Sequence, residues 1–137
     1  MSLKFNVKAI VCGNVEGEAL VSLSPLSFYG GVDRKTGIVV ERGHPLEGQK
    51  IAGKILFFPY GKGSTVGSYV IYGLAMNGLA PAAIVNVKSE PIIVIGCVLA
   101  NIPLFEGVTP QMLNEVKTGS KVRITCTGKK AFVEVYK

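Results

Sequence analysis

The sequence is short of the residues that usually mark a self-contained active site. It holds one histidine, His44, one aspartate, Asp33, and three cysteines. No GxSxG elbow accompanies His44, so a Ser-His-Asp triad is not expected. His44, in the run Gly43-His44-Pro45-Leu46, reads as structural. Asp33 lies in the turn-like run from Gly30 to Gly37. It reads either as a turn residue bonding its own backbone or as a contact in a mobile site loop. Cys12, Cys97 and Cys126 are widely spaced, and none belongs to a CxxC. An odd number without a secretion signal argues against a disulfide framework, and no metal or cluster site within this chain is expected. Each cysteine sits among apolar or β-branched neighbours and reads as a small buried hydrophobe. No apolar run reaches the ~18–20 residues that cross a bilayer. The N-terminal run MSLKFNVKAI lacks a long apolar stretch followed by a small-residue cleavage site, so the expected location is the cytoplasm.

The chain has 137 residues, which fits one domain over 1–137 with a core of its own. Apolar residues make up 48% and charged residues 18%, the balance of a globular and not a disordered chain. The net charge of +6 raises nucleic acid as a partner. The basic residues are scattered, however, and only Arg34-Lys35 and Lys129-Lys130 are adjacent. A solvated basic surface is the plain reading, with an acidic protein or an anionic small molecule as the functional alternative. Neither nucleic acid nor membrane is an expected partner.

Strands dominate the pattern. Phe5–Val11 and Glu18–Leu23 read as neighbouring strands with Gly13-Asn14 as their turn. The glycine-rich stretch Ser24–Lys50 holds at most one short strand, Gly37–Glu41; so long a loop is usually functional or covers something. Lys54–Phe58 is continuously apolar after its lysine and stops at Pro59, as a strand buried on both faces does. Val66, Val70 and Leu74, with Ile71 and Ala75, form a helix face closed by Asn77-Gly78. Ala82–Val87, Ile92–Val98 and the short Pro103–Phe105 read as further strands. Thr109–Val116 reads as a capped helical turn or two. Val122–Thr127 and Ala131–Tyr136 make a hairpin around Gly128-Lys129. The fold class is therefore mixed α/β and β-rich: a sandwich or barrel of short strands with one central glycine-loop helix.

One constellation carries chemistry. Gly61–Ser68, GKGSTVGS, lies between a strand and a helix. The first turn of a helix has unpaired N–H groups and partial positive charge, and glycines let a ligand approach the backbone. Such a turn binds a carboxylate or phosphate, or stabilises an oxyanion on one of its own side chains. Ser64 and Thr65 sit just before the helix, and Lys62 adds a positive charge nearby. The run is neither GxxxxGK[ST] nor a Rossmann GxGxxG. The simpler alternative is that Ser64 or Thr65 only caps the helix.

Three blocks in order carry a wider resemblance: GGVDRKTGIV at Gly30–Val39, HPLEG at His44–Gly48, and FPYGKGSTVGSYVIYGLAMNG at Phe58–Gly78. They resemble the swivelling-domain subunit of the aconitase X group, and the likeness runs from about Gly13 to Phe105. It implies a swivelling β/β/α fold that closes over a larger subunit carrying a 4Fe–4S iron–sulfur cluster, with no cofactor on this chain. It implies a hydro-lyase, inactive alone, that dehydrates (R)-5-phosphomevalonate to trans-anhydromevalonate 5-phosphate in the archaeal mevalonate route to isoprenoids. It implies Ser64, the serine of the GxGS segment, as proton acceptor. Gly63, Thr65 and Lys62 become candidates for binding a small phosphorylated hydroxy acid. Related proteins that act on hydroxyproline tend to have cysteine after this serine; Thr65 favours phosphomevalonate. The remaining alternatives are a related hydroxy-acid or hydroxyproline dehydratase subunit and a non-catalytic anion-binding module.

Overall fold

The computed structural model describes residues 2–136. In chain order its elements are β1 (Ser2–Val11), β2 (Val15–Val21), β3 (Leu26–Ser27), β4 (Ile55–Phe58), β5 (Gly61–Lys62), α1 (Gly67–Met76), β6 (Ala83–Asn86), α2 (Pro91–Ala100), β7 (Leu104–Glu106), α3 (Pro110–Glu115), β8 (Lys121–Thr127) and β9 (Lys130–Tyr136). Seven strands close into a barrel in the order β1-β7-β6-β4-β2-β8-β9, while β3 and β5 form a separate parallel pair.

The barrel has two unlike walls. β2, β4, β6 and β7 run parallel; α1 crosses from β4 to β6, α2 from β6 to β7, and the long segment holding β3 from β2 to β4. Every residue of β4 and β6 is buried, because helices cover their outer face. Ile55, Phe57, Ala83 and Val85 point into the barrel; Leu56, Phe58 and Ile84 point out under α1 and α2. The other wall, β1, β9, β8 and β2, is antiparallel. Its strand β8 alternates exposed and buried residues throughout, so one face is wet. Across that face Lys4 stands opposite Glu134, Glu134 opposite Arg123, and Arg123 opposite Glu16. The scattered charges of the sequence thus become alternating rows on a solvated surface.

The sandwich-or-barrel expectation resolves to a barrel, and the hairpin around Gly128-Lys129 forms as read. Four readings change. β1 and β2 are consecutive but not neighbours, because the β8–β9 hairpin inserts between them. The short strand of the Ser24–Lys50 segment is Leu26–Ser27; Gly37–Glu41 makes only isolated bridges, Val32 to Val39 and Ile38 to Lys50. Ile92–Val98 is not a strand but most of helix α2, with Pro91 in its first turn. α2 is apolar all round: Ile93 and Cys97 face the core, while Ile95, Val98 and Leu99 are exposed, so no helical period is visible. Gly96 faces Ile71 of α1, and a Cβ there would lie 2.7 Å from the Ile71 Cδ1.

Lastly, Cys12 and Cys126 are joined in a disulfide. Both had read as small hydrophobes. Barrel closure brings them together across 114 residues of sequence, which no local spacing reveals. Cys97 is the buried apolar cysteine expected. Among the described residues no helix is long and apolar enough to cross a membrane.

Candidate active site

The candidate loop starts where β4 must stop. Pro59 has no N–H for a ladder, and its carbonyl takes the amides of Val87 and Lys88 at 3.0 and 3.1 Å. This ties the loop after β4 to the loop after β6. Both lie at the carboxyl ends of parallel strands, where open parallel sheets bind ligands. Gly61 and Lys62 then pair with Leu26 and Ser27 as β5 against β3. Gly63 follows at φ +95°, a conformation that side chains rarely adopt, and a Cβ there would sit 2.5 Å from the Ser27 Oγ. Glycine is required at that position on both counts.

Lys62, Gly63, Ser64 and Thr65 form one continuous exposed surface ahead of α1. The Ser64 Oγ accepts a hydrogen bond from the Val66 amide at 3.1 Å. Val66 is itself the residue at the N-cap, and no side chain caps the helix. Ser64 therefore lies two residues before the N-cap, exposed and with its oxygen held by an amide. An N–H aimed at Oγ, at the positive end of a helix, favours the charged form of that oxygen. Thr65 lines an apolar groove of about 280 Å³ with Ser68, Tyr69, Ile92, Ile95 and Leu99. Ser68, buried, donates its hydroxyl to the Ile92 carbonyl at 2.7 Å, locking the first turns of α1 and α2 together.

Lys62 is not a free cation. Its Nζ is 2.9 Å from the Glu41 Oε2, and the Glu41 Oε1 accepts the Ser27 amide at 3.4 Å. Partial burial works against the Glu41 carboxylate. The hydrogen bonds from Lys62 and Ser27 and the charge of Lys62 outweigh it, holding the carboxyl below the ordinary range. Glu41 and Ser27 escaped the sequence reading because neither is near GKGSTVGS in the chain; the only hint was the unexplained length of the Ser24–Lys50 segment.

His44 and Asp33 take the structural roles considered for them. Buried His44 accepts the Leu46 amide on Nδ1 at 3.0 Å, so the ring proton is on Nε2 and is donated to the Pro25 carbonyl at 2.9 Å. Asp33 accepts the Lys35 amide at 2.8 Å and turns the chain.

The donors among the described residues are not arranged to hold an iron–sulfur cluster or a metal ion. Among the described residues no three His, Cys, Asp or Glu side chains gather at one place. Cys12 and Cys126 are bonded to each other, and burial pushes the Cys97 thiol up to about 12, far from the thiolate a cluster needs.

This fold and loop have close counterparts. The profile of the aconitase X swivel domain matches residues 4–135. The chain belongs to the aconitase X swivel-domain family. A relative from Methanosarcina acetivorans, named phosphomevalonate dehydratase small subunit, is 46% identical over 135 residues, covering 98% of this chain and 92% of that one. A second of the same name, from Thermococcus gammatolerans, is 51% identical over 122 residues, or 89% of this chain and 91% of that one. The crystal structure of Thermococcus kodakaraensis aconitase X in its holo-form superposes with a TM-score of 0.87 at 48% identity, covering 96% of this chain and 98% of that one. The barrel with its glycine-loop helix is thus the aconitase X swivel fold.

Proposed function

We propose that this chain is the small subunit of a phosphomevalonate dehydratase and that Ser64 is its proton acceptor. The observation that carries the reading is the Ser64 hydroxyl, exposed ahead of α1 with the Val66 amide on its oxygen. Support for the substrate comes from relatives at 46 and 51% identity that bear this name.

Dehydration removes a proton from the carbon next to the substrate carboxylate and a hydroxyl from the carbon beyond it. A new double bond and water result. Ser64 as its alkoxide takes the proton on Oγ and becomes the neutral hydroxyl, and the Val66 amide and the positive end of α1 stabilise the alkoxide beforehand. Gly63 lets the substrate approach the backbone, and Lys62 and Thr65 contact it. Whatever assists departure of the hydroxyl lies outside this chain, whose described donors are not arranged to hold a metal centre. We assign it to a larger subunit bearing the iron–sulfur cluster, with the complex acting in the cytoplasm. The uncharged helices α1 and α2, with Tyr69, Met76, Ile95, Val98 and Leu99 more than half exposed, suit a chain that works against a second protein.

The test is dehydration of (R)-5-phosphomevalonate by the reconstituted two-subunit complex. Ser64→Ala should lower kcat by about 10²- to 10⁴-fold, the range for losing a general base. Undiminished turnover by that variant would remove Ser64 as the base. Turnover by this chain alone would remove the need for a partner.

A further inference from the structure

We propose that Glu41 is a positioning residue for the substrate site, acting through Lys62. The inference rests on the reading of Gly61–Ser68 as the catalytic loop. It also gives the long Ser24–Lys50 segment a purpose.

The Glu41 carboxylate holds two points of the loop's footing. One oxygen takes the Lys62 ammonium at 2.9 Å, and the other takes the Ser27 amide at 3.4 Å. Ser27 and Lys62 are register partners in the β3–β5 pair, so one side chain clamps both strands of that ladder. The Ser27 hydroxyl in turn faces Gly63 and donates to the Tyr29 carbonyl at 2.9 Å. The clamp stands on a firm base. The Glu41 amide is bonded to the Gly31 carbonyl, and the Glu41 carbonyl takes the His44 amide at 3.2 Å. The buried His44 ring is anchored to Pro25 and Leu46.

Three ion pairs occur among the described residues. Lys54–Glu18 and Arg123–Glu16 lie on the barrel surface away from the loop. Lys62–Glu41 alone reaches the candidate site, and the Glu41 side chain, 24% exposed, is the most shielded of the six partners. A lysine on an exposed loop would otherwise sample many rotamers. Held on Glu41, its ammonium waits at a set place two residues before Ser64. An anionic substrate then meets an ordered cation, and less ordering is left to be done on binding.

Glu41→Gln keeps the shape and an oxygen for Ser27 but removes the charge that holds Lys62. In the reconstituted complex it should raise KM for phosphomevalonate and lower kcat/KM by about 10- to 100-fold, the equivalent of one charged hydrogen bond, with kcat changed little. Lys62→Ala should lose as much. The double variant Glu41→Gln/Lys62→Ala should lose no more than Lys62→Ala, since both act through one cation. Lys62→Arg, which can still pair with Glu41, should retain most activity, and Glu41→Gln should remove that retention. Losses that multiply in the double variant would overturn the proposal, as would a Glu41→Gln complex with wild-type kcat/KM. An inactive Ser64→Ala beside an unaffected Glu41→Gln would sink the positioning role alone. Full activity in Ser64→Ala would instead sink the catalytic reading of the loop.

Discussion

The two walls of the barrel divide the work. The antiparallel wall, β1, β9, β8 and β2, spends one face on water and carries exposed charge rows. In the parallel wall, β2, β4, β6 and β7, the central strands β4 and β6 are buried on both faces, and the candidate loop leaves from its carboxyl end. A parallel crossover usually returns through a helix. The β4–β6 and β6–β7 crossovers do so through α1 and α2 and place a loop and a helix N-terminus at that end, whereas β2–β4 returns through the long segment that holds β3. An antiparallel hairpin such as Gly128-Lys129 offers no such terminus. The candidate site goes with the first kind of connection, and the second kind closes the barrel.

The sharpest probe of the difference sets one phenylalanine in each wall. Phe58 of β4, which points outward under the helices, is fully buried, whereas Phe132 of β9 is 37% exposed. Phe58→Ala should cost about 3–5 kcal/mol of unfolding free energy in urea melts. Phe132→Ala should cost about 0.5 kcal/mol or less. Equal losses would break the division into a doubly buried and a half-wet wall.

Next comes the Cys12–Cys126 disulfide, which staples the antiparallel wall. Its removal by Cys126→Ser should lower stability by about 2–4 kcal/mol. Dehydration by the reconstituted complex should stay at the wild-type rate. A fall in kcat would show that the two walls are coupled.

A smaller effect is expected at the helix seam over the parallel wall. Gly96→Ala gains about 1 kcal/mol of helix propensity but drives a methyl against Ile71, whose Cβ would be 3.0 Å away. Overpacking costs about 1–3 kcal/mol, so a net loss of about 1 kcal/mol is expected in the same melts.

The smallest effect is electrostatic. The folded chain holds the Glu41 carboxyl below the ordinary glutamate range, with partial burial opposed by Lys62 and Ser27. A depressed pKa contributes stability above the unfolded value of about 4.3 and loses it as pH falls through the folded value. The gap in urea midpoint between wild type and Glu41→Gln should therefore be present at neutral pH and close in acid. A gap that widened in acid would contradict the assigned sign.

The sequence was legible wherever local chemistry decided the outcome. Lys54–Phe58 announced a strand buried on both faces, and every residue of β4 is buried. Thr109 and Pro110 announced α3, and the Thr109 hydroxyl does accept the Met112 amide at 3.1 Å. GKGSTVGS could be read as a strand-to-helix turn from its glycines and its place between the apolar run Lys54–Phe58 and the helical period Val66, Val70 and Leu74. α2 was illegible because its outer face is as apolar as its inner one, so the period that identifies a helix is missing.

The sequence by itself determined the strand, glycine turn and helix around Ser64, the hairpin at the end of the barrel, and the ordered blocks that mark the aconitase X swivel family. Those features depend on backbone conformation and on neighbours within a few residues. Only the tertiary structure decided that β1 and β2 stand apart, that Cys12 meets Cys126, and that Lys62 rests on Glu41. Each depends on how residues far apart in the chain are arranged. The order in which strands close the barrel sets the first two, and the packing of the Ser24–Lys50 segment beside the β3–β5 pair sets the third; no local period records either.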